Sequence, residues 1–162
     1  MSLNRRQLRF ENWDQVMADI EHLDRTGYQH ARNGNWSLGQ ICEHLAKILE
    51  AAVGSESKVM MWPIPWILRN VFLKKMLRHQ ATSLRVKVPL AFAPRAELTD
   101  EEGIERLRAA VLKFVSHPGD YAPHPAFGML PRNQWEHQQY WHCEHHLSFL
   151  IPKHEIDVSS VK

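Results

Sequence analysis

Apolar residues recur at helical spacing in separate stretches of the chain, divided by turn-forming clusters. Trp13, Val16, Met17, Ile20 and Leu23 mark the first, over about 12–26, with Gly27 placed to end it. Ser37, with Gln40 three residues on, reads as a capping box opening a helix over about 37–54, in which Ile41, Ile48 and Ala51 share a face. Thr99 and Glu102 form a second capping box. Ile104, Leu107, Ala110, Val111 and Phe114 continue that helix to about 116, where Pro118-Gly119 stops it. Pro131 suits the first position of a last helix over about 131–150.

The connections are less regular. Residues 28–36 carry Asn-Gly-Asn and read as a loop. Prolines 63 and 65 suit an entry turn before a basic amphipathic helix over about 64–79, whose apolar side packs on the core or docks a membrane surface or partner. Residues 81–98 read as a loop, since Pro89 and Pro94 limit any strand. Residues 116–130 hold three prolines, two glycines and two histidines, a long link of the kind that tends to be functional. A tail begins at about 152. The pattern predicts one all-α domain over 1–162, an antiparallel four-helix bundle with an additional peripheral helix.

Composition narrows the function. The 162 residues suit a single domain with a sizeable core. A net charge of +2 without a Lys/Arg face interleaved with aromatics argues against nucleic acid. The apolar run over 59–68 is proline-broken and too short to span a bilayer, so no stable membrane association is expected. Two distant cysteines make no disulfide framework, and with no apolar leader at the N-terminus the expected location is cytoplasmic.

Candidate chemistry concentrates in the last helix. Around His142 at 100° per residue, Trp135, Gln138, Gln139, His145, His146 and Phe149 all fall within about 60°. This stripe should face a core, yet its middle is imidazole and amide, and each unpaired buried polar group costs roughly 1–3 kcal/mol. Either the rings hydrogen-bond to other groups, or His142 and His146, at i, i+4, chelate a divalent metal. A metal needs a third ligand. His44 points to the apolar side of the second helix, and if the second and last helices are neighbours it meets His142 and His146 inside the bundle. Three imidazoles would leave an open position on zinc, nickel, iron or manganese. Cys42 and Cys143 turn away from these histidines by about 160° and 100° and are not natural ligands. Ser37 needs no role beyond its cap. There is no Gly-rich phosphate loop and no paired-carboxylate constellation.

NWSLGQICEHLAK at 35–47 together with HPAFGMLPRNQWEHQQYWHCEHHLSFL at 124–150 resembles the DinB/YfiT-like superfamily, in particular a subfamily with H-P-x-F-G-x-L, then W, then H-x-x-H-H-L-x-F. The likeness runs in order over nearly the whole chain. The subfamily usually has Thr where Pro131 stands and an acid where Gln134 stands, so capping of the last helix differs here. The resemblance implies a four-helix bundle, often a homodimer, with a three-histidine metal site falling on His44, His142 and His146. It also implies relatives that transfer a low-molecular-weight thiol (bacillithiol, mycothiol or glutathione) onto an electrophilic small-molecule substrate. Activating water at the same three ligands would give a hydrolase instead. The alternative is a non-catalytic, stress-associated module that binds metal or ligand. His145, His124, Phe127 and Gln40 are the pocket candidates, with His124 and Phe127 at its mouth. A structural role serves His145 equally well, and a lid over the core suits Phe127 better.

Overall fold

The computed structural model describes residues 4–54, 89–124 and 127–153. The expected helix over 64–79, the basic stretch around it, Pro125 and the tail from 154 lie outside the described residues. Among the described residues four α-helices dominate: α1 (Trp13–Thr26), α2 (Leu38–Val53), α3 (Asp100–Ser116) and α4 (Arg132–Leu147). Among the described residues no helix is long and apolar enough to cross a membrane.

Local signals set the helix starts. Asn12 caps α1 by accepting the Gln15 N–H at 2.9 Å. Both expected capping boxes form, Ser37 with Gln40 and Thr99 with Glu102. Pro131 precedes α4, which has no side-chain cap. At its other end α4 is shorter than the expected 131–150. Arg5 Nη2 donates to the His145 carbonyl at 2.8 Å and Arg6 Nη2 to the Leu147 carbonyl at 3.1 Å, so the N-terminal segment satisfies carbonyls that helix termini leave open.

The expected apolar positions of α1 and α3 are mostly buried, and the core adds Leu45 and Leu49 of α2 and Leu147 of α4, which lie off the faces expected for those helices. Val16, Ile20 and Leu23 of α1 meet Ile41, Leu45 and Leu49 of α2, Leu107 and Phe114 of α3, and Trp135 and Leu147 of α4, all buried. Each contributes roughly 1.5–3 kcal/mol of apolar burial. Helices α2 and α3 approach most closely at Gly39 and Gly103, whose backbones lie against each other with no room for a Cβ on either. Helix α1 touches the other three, and α2 touches α4 as well as α3.

The all-α expectation needs one correction. Residues 28–30 form a strand, β1 (Tyr28–His30), paired antiparallel with β2 (Leu150–Pro152) in the register Tyr28↔Pro152, Gln29↔Ile151 and His30↔Leu150. Three residues are too few to display a period of two, and Pro152 reads locally as a stop. The pair joins the exit of α4 to the loop that enters α2.

Candidate metal centre

Helices α2 and α4 bring together three imidazoles that lie 98 and 102 positions apart in the chain. His44 Nε2 lies 3.2 Å from His142 Nε2, and His146 Nε2 lies 2.9 Å from the same atom. One ligand atom from each of the three falls within 4.8 Å of the others. Two nitrogens held ~2.0–2.1 Å from one ion stand roughly 3 Å apart, so the spacing matches that of ligands on a shared cation.

Proton counting sharpens the fit. His44 Nδ1 sits 2.8 Å from the Phe92 carbonyl, which can only accept, so Nδ1 carries the proton and Nε2 presents a lone pair. His142 Nε2 then faces two neighbours with at most one proton of its own. It cannot donate to His44 and accept from His146 at once. His142 Nδ1 is buried and has no hydrogen-bond partner among the described residues, a cost for a polar atom in the protein alone. A cation among the three Nε2 atoms resolves the crowding of lone pairs. Burial holds all three rings below the usual histidine range, with His142 and His146 pushed further down by neighbouring imidazoles. Neutral imidazole is the ligating form. Cys42 and Cys143 are buried free thiols outside this trio, and burial pushes both up, away from thiolate.

A cleft of about 200 Å³ opens beside the trio, lined by Asn33, Asn35, Trp36, His145, His146 and Phe149 among others. His146 therefore belongs to both trio and cleft. Trp36 lies flat on the His146 ring, centroids 5.5 Å apart and planes 16° apart, and tilts against His44 at 5.1 Å. The loop that places it is tightly held. His30 Nε2 donates to the Trp36 carbonyl at 3.0 Å, Ala31 N–H to the Phe149 carbonyl at 2.8 Å, and Gly34 N–H to the Ala31 carbonyl at 2.9 Å. Trp36 was missed in the reading of 28–36 as a plain loop; its position just before the Ser37 cap was the available signal.

The other pocket candidates divide. His145 lines the cleft, stacked on Trp141 at 5.5 Å, and burial lowers it to about 4. Gln40, His124 and Phe127 do not line it. Gln40 accepts from Ser37 N–H and donates to the carbonyls of Arg95 and Ala96, so its amide is spent on the cap and the 95–96 backbone. Phe127 is a core residue, 6% exposed, lying on the His124 ring at 4.7 Å. His124 Nδ1 accepts the Phe127 N–H at 3.3 Å, and its backbone bridges to Gly128, whose φ of 69° needs a glycine. These groups hold a turn against Trp135.

His124 carries a pH prediction. Burial lowers it to about 3, against ~6.5 in an unfolded chain. Below pH ~6.5 the unfolded state takes the proton that the folded ring refuses, so the contribution present above 6.5 is lost as pH falls towards 3. The urea midpoint should therefore fall steadily from pH 6.5 to 4. His124→Asn keeps an acceptor for Phe127 N–H and removes the titrating ring, so its profile should be shallower. The other buried histidines add to the same slope, so an unchanged profile would show that the His124 ring contributes nothing to it.

No curated protein and no solved structure matches the chain. A family model described as "Protein of unknown function (DUF1569)" matches residues 2–153, nearly the whole length, and the chain therefore belongs to the DUF1569 family.

Proposed function

We propose that the protein is a metal-dependent transferase or hydrolase acting on a small molecule, with His44, His142 and His146 holding one divalent ion inside a DinB-like four-helix bundle. The observation that carries the reading is the meeting of three neutral Nε2 atoms from two helices, two of the spacings being 2.9 and 3.2 Å. Zinc, nickel, iron and manganese all suit imidazole or mixed N/O sites. When bound, such an ion supplies a Lewis-acid position at which a thiol or a water loses its proton near neutral pH.

The chain's own residues do the rest. Trp36 braces His146 by stacking, and the Phe92 carbonyl orients His44. The aromatic rings of Trp36 and Phe149 give the cleft a dry side, while Asn33 and Asn35 bring amides that can orient a polar substrate group. At about 200 Å³ the cleft is smaller than the ~300–1,000 Å³ of drug-sized ligand sites, so it takes the reactive end of a substrate rather than a whole thiol cofactor. The same small volume favours, as a second reading, a module that binds metal or ligand without turnover.

The test begins with elemental analysis of protein purified without nickel resin; about one equivalent of a divalent metal is expected. Conjugation of a generic electrophile is then assayed with several low-molecular-weight thiols and each of the four metals. Thiol-dependent conjugation supports transfer. Metal without turnover supports the binding module, and protein that takes up none of the four metals rules out the metal-dependent enzyme.

A further inference from the structure

Glu43 precedes His44 on α2, and with its whole side chain buried it is the most enclosed carboxylate among the described residues. Its oxygens are fully engaged. Oε2 accepts the backbone N–H of Arg95 at 2.7 Å, and Oε1 accepts Arg95 Nε and Arg106 Nη1, each at 2.8 Å. One turn along α2, Lys47 Nζ donates to the Ala93 carbonyl at 2.6 Å and stands 3.8 Å from Glu43 Oε1. These bonds pull one short piece of backbone, residues 93–95, onto α2. That piece follows the 3₁₀ turn Leu90–Phe92, whose last carbonyl receives the His44 Nδ1 proton.

Such an arrangement does more than bury a charge. Apolar packing would hold α2 against α3 without it, and exposed ion pairs add ~0–1 kcal/mol at most. Glu43 also locks the register of 92–95 against the helix that carries His44, between the Lys47 tie to Ala93 and the Gln40 ties to Arg95 and Ala96. It is the one of the three whose side chain is wholly buried. We propose that Glu43 is the positioning residue of the histidine trio: its carboxylate fixes the segment bearing the Phe92 carbonyl, and so decides which His44 nitrogen holds the proton and which faces the metal. The inference rests on the metal reading above for its function, but the tautomer itself does not require metal. Groups that fix the tautomer of a ligating histidine typically contribute about 10–100-fold to metal affinity.

Glu43→Gln tests it. Whichever way the amide turns, an NH₂ group faces either the Arg95 N–H or the two guanidinium donors, so at least one tie to Arg95 is lost. Two measurements on metal-stripped full-length protein follow. The first is the ¹H–¹⁵N long-range correlation of ¹⁵N-histidine-labelled protein, with the His44 signals assigned by their loss in His44→Gln. The second is Co²⁺ titration followed by its visible absorption. The wild type should show His44 as a single Nδ1–H tautomer. The variant should show a mixture and bind Co²⁺ about 10–100-fold more weakly. Arg106→Ala is the control, because it strips the same carboxylate of a partner on α3 without touching 92–95; it should lower stability and leave the tautomer alone. If Glu43→Gln does not fold, Lys47→Met/Arg95→Ala removes the Ala93 tie and the Arg95 guanidinium while the residue 95 N–H stays on Glu43, so the same two changes are expected in smaller degree. Unchanged tautomer and affinity in the folded variant overturn the proposal, as does an equal tautomer shift in Arg106→Ala. A wild type that shows the Nδ1–H tautomer yet takes up no Co²⁺ refutes the metal reading separately.

Discussion

His142→Ala is expected to abolish the stabilisation that divalent metal gives the wild type, while changing the metal-free protein little. His142 stands between the other two rings, so its loss leaves a pair that share no third donor. A ligand that binds only the folded state at about a thousand times its dissociation constant stabilises by ~4 kcal/mol. In the variant this gain should shrink to less than about 1 kcal/mol. For the metal-free protein two effects oppose. Removing the ring leaves a void, at ~1–3 kcal/mol for a side chain of this size, and also removes the orphaned Nδ1, at a similar cost in the wild type. The two nearly cancel. Urea unfolding with and without zinc or nickel, against chelator, reads both quantities. An equal metal-induced shift in wild type and variant would place the ion elsewhere.

Alanine at Gly39 or Gly103 should have the second large effect. A Cβ on Gly39 would run into the Thr99 carbonyl and come within 2.8 Å of the Asp100 Cα; one on Gly103 would run into the backbone of Gly39. Both obstacles are main chain and cannot rotate aside. Within a helix, Gly→Ala gains ~1 kcal/mol in propensity, whereas forced overpacking costs ~1–3 kcal/mol and sometimes more. Here the helices would also have to part, straining the 2.7 Å bond from Gly39 N–H to Asp100 Oδ1. Net destabilisation of about 2 kcal/mol is expected for each, seen as a lower urea midpoint. A rise in stability in either variant would mean that α2 and α3 do not meet so closely in solution.

What could be read from the chain follows the range over which each signal acts. Both capping boxes lie within four residues of themselves, and both form as expected. The i, i+4 pair His142/His146 and the orientation of His44 are helix geometry, so their convergence needed only that α2 and α4 be neighbours. The β1–β2 pair, by contrast, joins residues 120 or more positions apart through strands too short to carry a pattern. The Gly39–Gly103 contact and the ties of Glu43 to residue 95 are equally non-local, and neither glycine stands out in an otherwise regular helix. His124 and Phe127 suggested a pocket mouth because prolines, glycines and histidines cluster there. The structure places them in a tight turn packed on Trp135 instead.

The flat contact between Trp36 and His146 has a practical corollary. An indole lying against one of the trio is a built-in optical sensor. A paramagnetic ion such as cobalt or nickel arriving among the imidazoles should quench its emission, and subtracting the spectrum of Trp36→Phe isolates that signal from the other five tryptophans. The protein thus reports its own loading in a cuvette, without a label.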